Sequence, residues 1–321
     1  MRLFVTGASG YLGGAVVRAL LPDHRLRLLV RRPESVAGFS KEPGVEVVEG
    51  DLLVPASWEE RLRGCEGVLH LAALVTQWAP PRQFLAVNRD AFHHLLEFCW
   101  KEGIKKFIYT SSFIALGPTE PAADQDVYQA NAYANSKREA LKLGREYQRK
   151  GFPLTVLVPT VLYGPGTRTE GNHMSSLLER VIQDRPIFLP DRGKWIWNFA
   201  FIDDVARGHR LALERAKGKE EYLLGGASVS LEQFFATAAR LLGKDQQTRS
   251  VPPWVLEGCA LLEEALASMT GRPPRLTRGA LAVYRHNWDF QDKKAREELG
   301  YTSLPLEEGL KRTLEWLKEK R

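Results

Sequence analysis

The sequence predicts an α/β fold: a doubly wound parallel sheet followed by a smaller, mostly helical C-terminal lobe. In the first half of the chain, apolar runs of strand length alternate with segments of helical periodicity, as in repeated βαβ units. After Gly164-Pro165-Gly166 this alternation stops, and Gly, Pro and Trp punctuate short segments. At 321 residues the chain is long enough for one large domain with a smaller appendage.

Six predicted strands follow one another, and right-handed crossovers between them make the doubly wound sheet. The strands are predicted over 3–6, 26–30, 45–48, 67–71, 106–110 and 154–158. The helices of the first half are predicted over 11–20, 83–101 and 132–149, and those of the second half over 230–242, 254–269, 274–284, 291–298 and 305–319. We expect residues 199–202, followed by a helix that Asp203 caps, to return to the main sheet.

These elements divide the chain into two regions. Residues 1–163, with the returning segment 199–224, are predicted to form the domain that holds the sheet. Residues 164–198 and 225–321 are predicted to form the second lobe, which we expect to bind the substrate.

Charge and cysteine content exclude several functions. The chain has 45 basic and 39 acidic residues without a long block of like charge, so a nucleic-acid partner is not expected. Cys65, Cys99 and Cys259 lie far apart with no histidine at ligand spacing, which argues against disulfides and against a metal site. A reducing, cytoplasmic location is therefore expected, and the first residues begin a strand rather than a secretion signal.

The segment 254–270 is the best candidate for membrane contact. Three glutamates interrupt its apolar run, so no membrane span is predicted. We interpret it as an amphipathic helix that covers a pocket, and attachment to a lipid surface is the alternative.

A glycine-rich turn follows the first predicted strand directly. It reads Gly7-Ala8-Ser9-Gly10-Tyr11-Leu12-Gly13. Gly7 suits a tight turn, Gly10 lets phosphate approach the backbone, and Gly13 lets the helix pack on the strand. Such a turn holds the pyrophosphate of a dinucleotide at a helix N-terminus, which makes the predicted sheet one of the Rossmann type. A purely structural strand-to-helix turn is the alternative.

The end of the second predicted strand indicates which dinucleotide binds. Arg31 and Arg32 stand where NAD-binding proteins carry an acidic residue that bonds the adenosine ribose. Guanidinium groups pair well with a 2′-phosphate, so NADP(H) is favoured and NAD(H) is possible, unless both arginines are simply solvated. Asp51, after the third strand, is expected to accept a hydrogen bond from the adenine or to be a plain turn residue.

Tyr133 and Lys137 lie four residues apart on one face of a predicted helix. A fixed ammonium and a positively charged nicotinamide ring both favour the phenolate, which moves a phenol toward acid–base catalysis. Ser112 ends the fifth predicted strand, at the edge where parallel sheets bind ligands, and is expected to hold a substrate oxygen beside the phenol. Together these residues predict hydride transfer. The structural alternatives are a surface i, i+4 pair for Tyr133 and Lys137, and a helix cap or turn former for Ser112.

In combination, these residues resemble the extended short-chain dehydrogenases/reductases, the group that includes NAD-dependent epimerases and dehydratases. The resemblance rests on seven segments in the family's order: 6–13, 50–52, 70–73, 111–117, 133–137, 163–166 and 201–206. Segments 28–33, 74–78 and 293–301 are most similar to the dihydroflavonol-reductase-like and hydroxysteroid-dehydrogenase-like branch.

The resemblance implies a catalytic set, a cofactor site and a substrate site. The catalytic residues it implies are Ser112, Tyr133 and Lys137. The cofactor site it implies comprises Gly7, Gly10, Tyr11, Leu12, Gly13, Arg31, Arg32, Asp51, Leu52, Leu71, Ala72, Ala73, Tyr133, Lys137, Pro159 and Val161. The substrate contacts it implies are Trp78, Ser112, Tyr163 and Trp197. Many members form homodimers through two helices, here 83–101 and 132–149, although packing on the sheet also explains the apolar stripe of the first.

One departure from the family pattern bears on the substrate. Nucleotide-sugar epimerases usually carry an arginine before the segment 201–206, whereas this chain has Trp195-Ile196-Trp197-Asn198. Indoles favour a ring-containing or hydrophobic ligand, unless they are core residues. The expected function is therefore NADPH-dependent reduction of a carbonyl in such a molecule, or oxidation of the alcohol. A nucleotide-sugar epimerase or dehydratase with tightly bound cofactor, and a non-catalytic NADP(H)-sensing regulatory protein, are the alternatives.

Overall fold

A computed structural model describes residues 1–120, 124–245 and 248–320. Its strands, in chain order, are β1 (Arg2–Thr6), β2 (Arg25–Val30), β3 (Val45–Glu49), β4 (Gly67–His70), β5 (Lys106–Thr110), β6 (Leu154–Pro159), β7 (Val161–Tyr163), β8 (Ile187–Pro190), β9 (Ile196–Phe201), β10 (Glu221–Leu224), β11 (Ala227–Ser230) and β12 (Thr248–Val251). Seven of them form a parallel sheet in the order β10-β6-β5-β4-β1-β2-β3. The predicted doubly wound sheet is confirmed.

The helices cover both faces of this sheet and build the second lobe. They are α1 (Tyr11–Leu20), α2 (Glu59–Leu62), α3 (Pro81–Leu85), α4 (Ala91–Lys101), α5 (Asp124–Ala130), α6 (Ala132–Lys150), α7 (His173–Ile182), α8 (Ile202–Arg215), α9 (Leu231–Leu241), α10 (Pro253–Thr270), α11 (Arg278–Tyr284) and α12 (Leu306–Glu319). A π-helical turn over Ala86–Asp90 joins α3 to α4, and another covers Ala295–Leu299. Within the described ranges every helix is too short or too polar to cross a bilayer.

Successive residues of β1 point to opposite faces of the sheet and enter different cores. Leu3 and Val5 belong to the cluster that includes residues of α1 and α8, whereas Phe4 belongs to the cluster on the α4 and α6 side. A third cluster, around Phe199 and Phe234, fills the second lobe. Burial on both faces explains why the strands of the main sheet are nearly continuous apolar runs.

The segment 199–202 does not return to the main sheet, so that prediction was wrong. Its strand, β9, pairs with β7 and β11 in a separate three-stranded sheet, and β10 supplies the seventh strand instead. The physical reason is aromatic packing: the Phe199 ring stacks on Phe234 with centroids 4.1 Å apart. Helix α8 follows as expected, but no side chain caps it and Asp203 lies inside its first turn.

The apolar stripe of the predicted helix 83–101 faces the core. Phe84, Ala91 and Leu95 are buried within the chain itself, and α4 packs against α6. Packing inside one chain therefore explains the stripe, and the homodimer stays a prediction.

Candidate active site

The glycine turn is shaped by contacts that exclude side chains. Gly7 has φ +79°, and a Cβ there would lie 2.5 Å from the backbone nitrogen of Ala72. A Cβ on Gly13 would lie 1.9 Å from the carbonyl oxygen of Gly7. The amide of Gly10 donates to that same oxygen at 3.0 Å and closes the turn. The turn thus lies directly against the end of β4 and the start of α1.

Helix α1 begins at this turn with unpartnered backbone donors. Gly10 is its N-cap and provides no side-chain cap, and the first amides of a helix have no partner within it. Such amides, reinforced by the helix dipole, bind anions. The side chain of Tyr11 is turned away and donates to the carbonyl of Gly164 at 2.8 Å, so backbone rather than side chains forms this cradle.

The end of β4 is held beside the turn by Thr6. The Thr6 hydroxyl lies 2.8 Å from Nδ1 of His70 and accepts a bond from the amide of Ala72 at 3.3 Å. Burial, and then the charge of Lys137, lowers the pKa of His70 to about 3, so this imidazole is neutral. Leu71 to Ala73 are only partly buried and line the edge at which β1 and β4 end.

Arg31 and Arg32 are exposed where β2 ends, one strand away from the glycine turn. Neither guanidinium has an ion-pair partner in the part of the chain that the structure describes. Asp51 sits in a tight turn, in which its carboxylate accepts from the amide of Leu53 at 2.9 Å, and Leu52 beside it is buried. Their roles toward the adenosine stay predictions, and the turn explains Asp51 equally well.

Lys137 is buried under the end of β5. Its ammonium donates to the carbonyl oxygen of Thr110 at 3.0 Å and lies 5.1 Å from the centre of the Tyr109 ring. Burial lowers the pKa of Lys137 to about 7. Lys137 is therefore close to the point at which it exchanges its proton at physiological pH.

A buried histidine, His209, contacts Thr110, the residue whose carbonyl accepts the hydrogen bond from Lys137. The Thr110 hydroxyl lies 2.9 Å from Nε2 of His209, whose Nδ1 lies 2.8 Å from the carbonyl oxygen of Val205. A carbonyl can only accept, so Nδ1 carries the proton and Nε2 accepts from the hydroxyl. Burial lowers the pKa of His209 to about 4, which keeps it neutral. This residue was not among the predicted site residues.

Ser112 and Tyr133 meet beside Lys137. Burial raises the pKa of Tyr133 to about 12, and hydrogen bonding by the Ser112 hydroxyl lowers it in part. Lys137 does not lower the pKa of Tyr133, contrary to the expectation from the sequence. The ammonium of Lys137 donates to the carbonyl of Thr110, and burial disfavours its charged form. Desolvation therefore remains the largest influence on the pKa of Tyr133.

The first turn of α6 is fixed by its N-cap. The Asn131 side chain accepts from the amide of Ala134 at 2.9 Å and donates to the carbonyl of Gly279 at 3.0 Å. A Cβ on Gly279 would lie 2.6 Å from the carbonyl oxygen of Ala130, so α11 approaches the backbone here as closely as glycine allows. Tyr133 is thus held between the sheet and the second lobe.

Sequence reasoning also missed Asn88, in the π-helical turn between α3 and α4. Its side chain is buried, accepts from the amide of Leu74 at 2.7 Å and donates to the hydroxyl of Ser136 at 2.9 Å. Ser136 in turn donates to the carbonyl of Tyr133 at 2.8 Å. A lone amide within the apolar stripe of the predicted helix 83–101 was the available signal.

The predicted substrate contacts differ in exposure: one is on the surface and two are buried. Trp78 is exposed on the loop after β4, and the backbone amide of the neighbouring Gln77 donates to the carboxylate of Glu170 at 3.0 Å. Tyr163 and Trp197 are instead buried in the core of the second lobe. The hydroxyl of Tyr163 packs so closely on α12 that a Cβ on Gly309 would lie 2.2 Å from it. Their substrate roles stay predictions, and burial favours packing for these two.

Pro159 and Val161 flank the end of β6 and are buried. Between them, Thr160 donates to the side chain of Asn198 at 2.8 Å, which joins the main sheet to β9. The residues predicted for catalysis and for the pyrophosphate therefore all lie along one edge of the sheet. The described ranges hold no group of three His, Cys, Asp or Glu side chains placed to bind a metal.

Comparison with known proteins identifies the family. The NAD dependent epimerase/dehydratase family matches residues 3–225. A putative dihydroflavonol 4-reductase of Synechocystis sp. is 27% identical over 98% of this chain and 93% of that protein. The 3beta-hydroxysteroid-dehydrogenase/decarboxylase isoform 1 of Arabidopsis thaliana is 23% identical over 97% of this chain and 78% of that protein.

Solved structures show the same fold. That of gox2253 superimposes with a TM-score of 0.80 at 30% identity, covering 99% of this chain and 98% of the other. UDP-glucuronic acid 4-epimerase from Bacillus cereus, solved with UDP-glucuronic acid and NAD, has a TM-score of 0.77 at 21% identity over the whole of both chains. The chain belongs to the NAD dependent epimerase/dehydratase family, the extended short-chain dehydrogenases/reductases, whose typical cofactor is a nicotinamide dinucleotide.

Proposed function

We propose that the chain is an NADP(H)-dependent oxidoreductase that reduces a carbonyl group of a ring-containing or hydrophobic small molecule, or oxidises the corresponding alcohol. One observation carries the proposal. Ser112 lies near enough to Tyr133 to lower the pKa of its phenol at the carboxyl edge of the sheet, and buried Lys137 is on the same helix as the phenol. Two neighbouring hydroxyl donors suit a substrate oxygen that gains negative charge.

The residues present fit a dinucleotide. The glycine turn leaves backbone amides open at the start of α1 and has no room for a Cβ at Gly7 or Gly13, so a pyrophosphate would rest on the backbone. Arg31 and Arg32 would pair with a 2′-phosphate, and Lys137 would bond the nicotinamide ribose. When bound, the nicotinamide supplies or accepts the hydride.

The protein's own contribution is to orient the substrate and move one proton. Ser112 donates a hydrogen bond to the carbonyl oxygen and holds it beside Tyr133. Because the pKa of Tyr133 is raised to about 12, the phenol carries its proton at physiological pH and can give it to that oxygen. In the reverse direction Tyr133 takes the proton of the alcohol. Asn88 and Ser136 act by positioning the backbone that carries the phenol.

The proposed substrate class is supported by two observations. Relatives spanning most of this chain are named as a dihydroflavonol reductase and a hydroxysteroid dehydrogenase, both of which act on ring compounds by name. Partly buried Trp195 precedes the segment 201–206, where a diphosphate-binding arginine would favour a nucleotide sugar. A purely regulatory protein would have no need of a phenol and a serine paired at this edge.

The test is Tyr133→Phe, which removes one oxygen atom from the site. We expect kcat to fall by about 10²–10⁴-fold, the usual contribution of a general acid, with NADPH affinity nearly unchanged. Tyr128→Phe is the matched control, because it removes the same oxygen atom from a buried tyrosine whose hydroxyl donates to the carbonyl of Ala115 at 3.0 Å. A panel of cyclic and aromatic ketones and aldehydes is assayed by the absorbance of NADPH, and the NADPH dissociation constant by its fluorescence.

A fully active Tyr133→Phe variant would refute the catalytic assignment. Candidate UDP- and GDP-sugars are assayed in parallel. Turnover of a nucleotide sugar without net consumption of NADPH would establish an epimerase or dehydratase instead, because such an enzyme reoxidises its cofactor within each cycle.

A further inference from the structure

Helix α10 exposes an unusual amount of apolar surface. Met269 and Trp254 are exposed to 84% and 74% of their possible area, and three leucines between them are also exposed. The exposed apolar side chains are those of Trp254, Leu261, Leu262, Leu266 and Met269. Their spacing places them on one side of the helix, opposite buried Ala260 and Ala267.

The acidic residues of α10 are all engaged with the protein. Glu257 and Glu264 form ion pairs with Arg285 and Arg278 of the following segment. Glu263 accepts the backbone amides of the loop before α11. The only charged side chains of this helix are thus turned toward α11, and its outer face carries no charge.

Positive charge lies at both ends of this face. Arg249 of β12 precedes the helix and is paired in register with exposed Phe188 of β8. Arg272 and Arg275 follow its C-terminus and are exposed. These three guanidiniums form no ion pair within residues 1–120, 124–245 and 248–320.

We infer that α10 docks the protein on the surface of an anionic lipid bilayer. The helix would lie in the plane of the interface, with its apolar face at the acyl boundary and the guanidiniums on lipid phosphates. Its 18 residues make a face about 27 Å long. Tryptophan at one end suits the boundary between apolar and polar layers.

Charge decides between a bilayer and a second copy of the chain. Pairing two α10 helices about a twofold axis brings each end of one helix next to an end of the other. Both ends carry unpaired guanidiniums, so cations would meet cations in either orientation. An anionic surface neutralises all three at once.

The docking face also bears on the substrate, and this step alone rests on the proposed function. Helix α10 packs on α11, and α11 holds the first turn of α6 through the bond from Asn131 to Gly279. The lobe that would rest on the bilayer is therefore the one beside Tyr133. Lipophilic carbonyl compounds dissolved in a membrane are the substrate class that suits this geometry.

The test is flotation of the full chain with two kinds of vesicle: phosphatidylcholine alone, and phosphatidylcholine mixed in equal parts with phosphatidylglycerol. We expect binding to the mixed vesicles that weakens as salt is added. Leu262→Glu and Met269→Glu should each lower the partition coefficient by about tenfold or more, because each loses an apolar contact with lipid. Lys311→Glu, at an exposed position of α12, is the control: it changes the net charge more than either variant but lies outside this face.

Several results would overturn the inference. The inference is overturned if the wild-type protein does not bind the mixed vesicles. It is also overturned if both α10 variants bind them as strongly as the wild-type protein does. Light scattering that shows a dimer converted to monomer by Leu262→Glu without vesicle binding would overturn it as well, since that outcome assigns the face to a second copy. Thermal unfolding verifies that the variants are folded. Reduction of a water-soluble ketone without vesicles is measured separately, so failure of docking and failure of the proposed activity are distinguishable.

Discussion

Gly13 offers a sharp test of the glycine turn, because α1 passes directly over the carbonyl of Gly7 at this position. A Cβ on Gly13 would lie 1.9 Å from that oxygen, 2.8 Å from its carbon and 3.0 Å from the Cα of Ala8. All three atoms are backbone, so no change of rotamer relieves the overlap. Gly14 is a matched control in the same helix, since the nearest atom to its Cβ would be a side-chain nitrogen of Arg18 at 3.8 Å.

The magnitude follows from these distances. In Gly13→Ala the helix and the turn must separate by about 1 Å before the contact with the Gly7 oxygen becomes tolerable. Overpacking of this kind costs on the order of 1–3 kcal/mol of folding free energy. The same displacement moves the amides that would hold a pyrophosphate, so NADPH affinity should fall by about tenfold or more. Gly14→Ala should instead stabilise the protein by roughly 0.5–1 kcal/mol, the usual gain for glycine to alanine within a helix.

Urea unfolding gives the two free energies, and titration followed by NADPH fluorescence gives the two affinities. We expect Gly13→Ala to unfold at lower urea and to bind NADPH weakly, with Gly14→Ala at or above wild type in both. Wild-type affinity and stability in Gly13→Ala would refute the close approach of α1 to the turn. Equal losses in both variants would show that helix content, rather than this contact, controls binding.

Two further predictions concern the coenzyme and acid stability. Replacing Arg31 and Arg32 together by serine should raise the KM for NADPH by about tenfold or more and leave the KM for NADH nearly unchanged, because only NADPH carries the 2′-phosphate. Steady-state kinetics with each coenzyme measures both constants. An equal rise of the KM for both coenzymes would contradict the prediction. Burial lowers the pKa of His209 to about 4, so this residue is neutral in the folded chain. Its contribution to stability is complete above the unfolded pKa of about 6.5 and is lost as the pH falls toward 4. In His209→Gln the slope of unfolding free energy against pH should fall by about 1.2 kcal/mol per pH unit between about pH 6 and 4.5, as measured by urea titration. An unchanged slope would show that His209 is not held neutral.

The main sheet and the position of the candidate catalytic residues were predictable because local signals and topology agree. Residues Leu3, Phe4 and Val5 of β1 are all apolar, since both faces of the strand are covered, and the glycine turn follows the strand without a gap. Ser112 follows the end of β5 by two residues, and Tyr133 is the second residue of the next long helix, α6, so the topology brings both to one edge of the sheet. The prediction of the family from these segments is confirmed.

The second lobe was less predictable because long-range pairing decides it. Strand β9 has an apolar pattern that fits either sheet. Its place is set by partners far along the chain: the amide of Asn198 donates to the carbonyl of Trp288 at 3.0 Å. Gly226 contributes as well, because a Cβ there would lie 2.1 Å from the carbonyl oxygen of Phe199. Neither contact can be predicted from the pattern of apolar residues within β9.

The acid–base properties of Tyr133 and Lys137 show why residue identity alone does not set chemistry. Their spacing suggests an ammonium that stabilises a phenolate, yet both groups are desolvated, and each charged form is disfavoured. A rise of the Tyr133 pKa from about 10 to about 12 adds about 3 kcal/mol to the cost of the phenolate. A phenol that keeps its proton is ready to donate it, whereas alcohol oxidation requires the proton to be removed first. Under the proposed function, the raised pKa of Tyr133 therefore favours donation of its proton to a carbonyl oxygen, which is the direction of reduction.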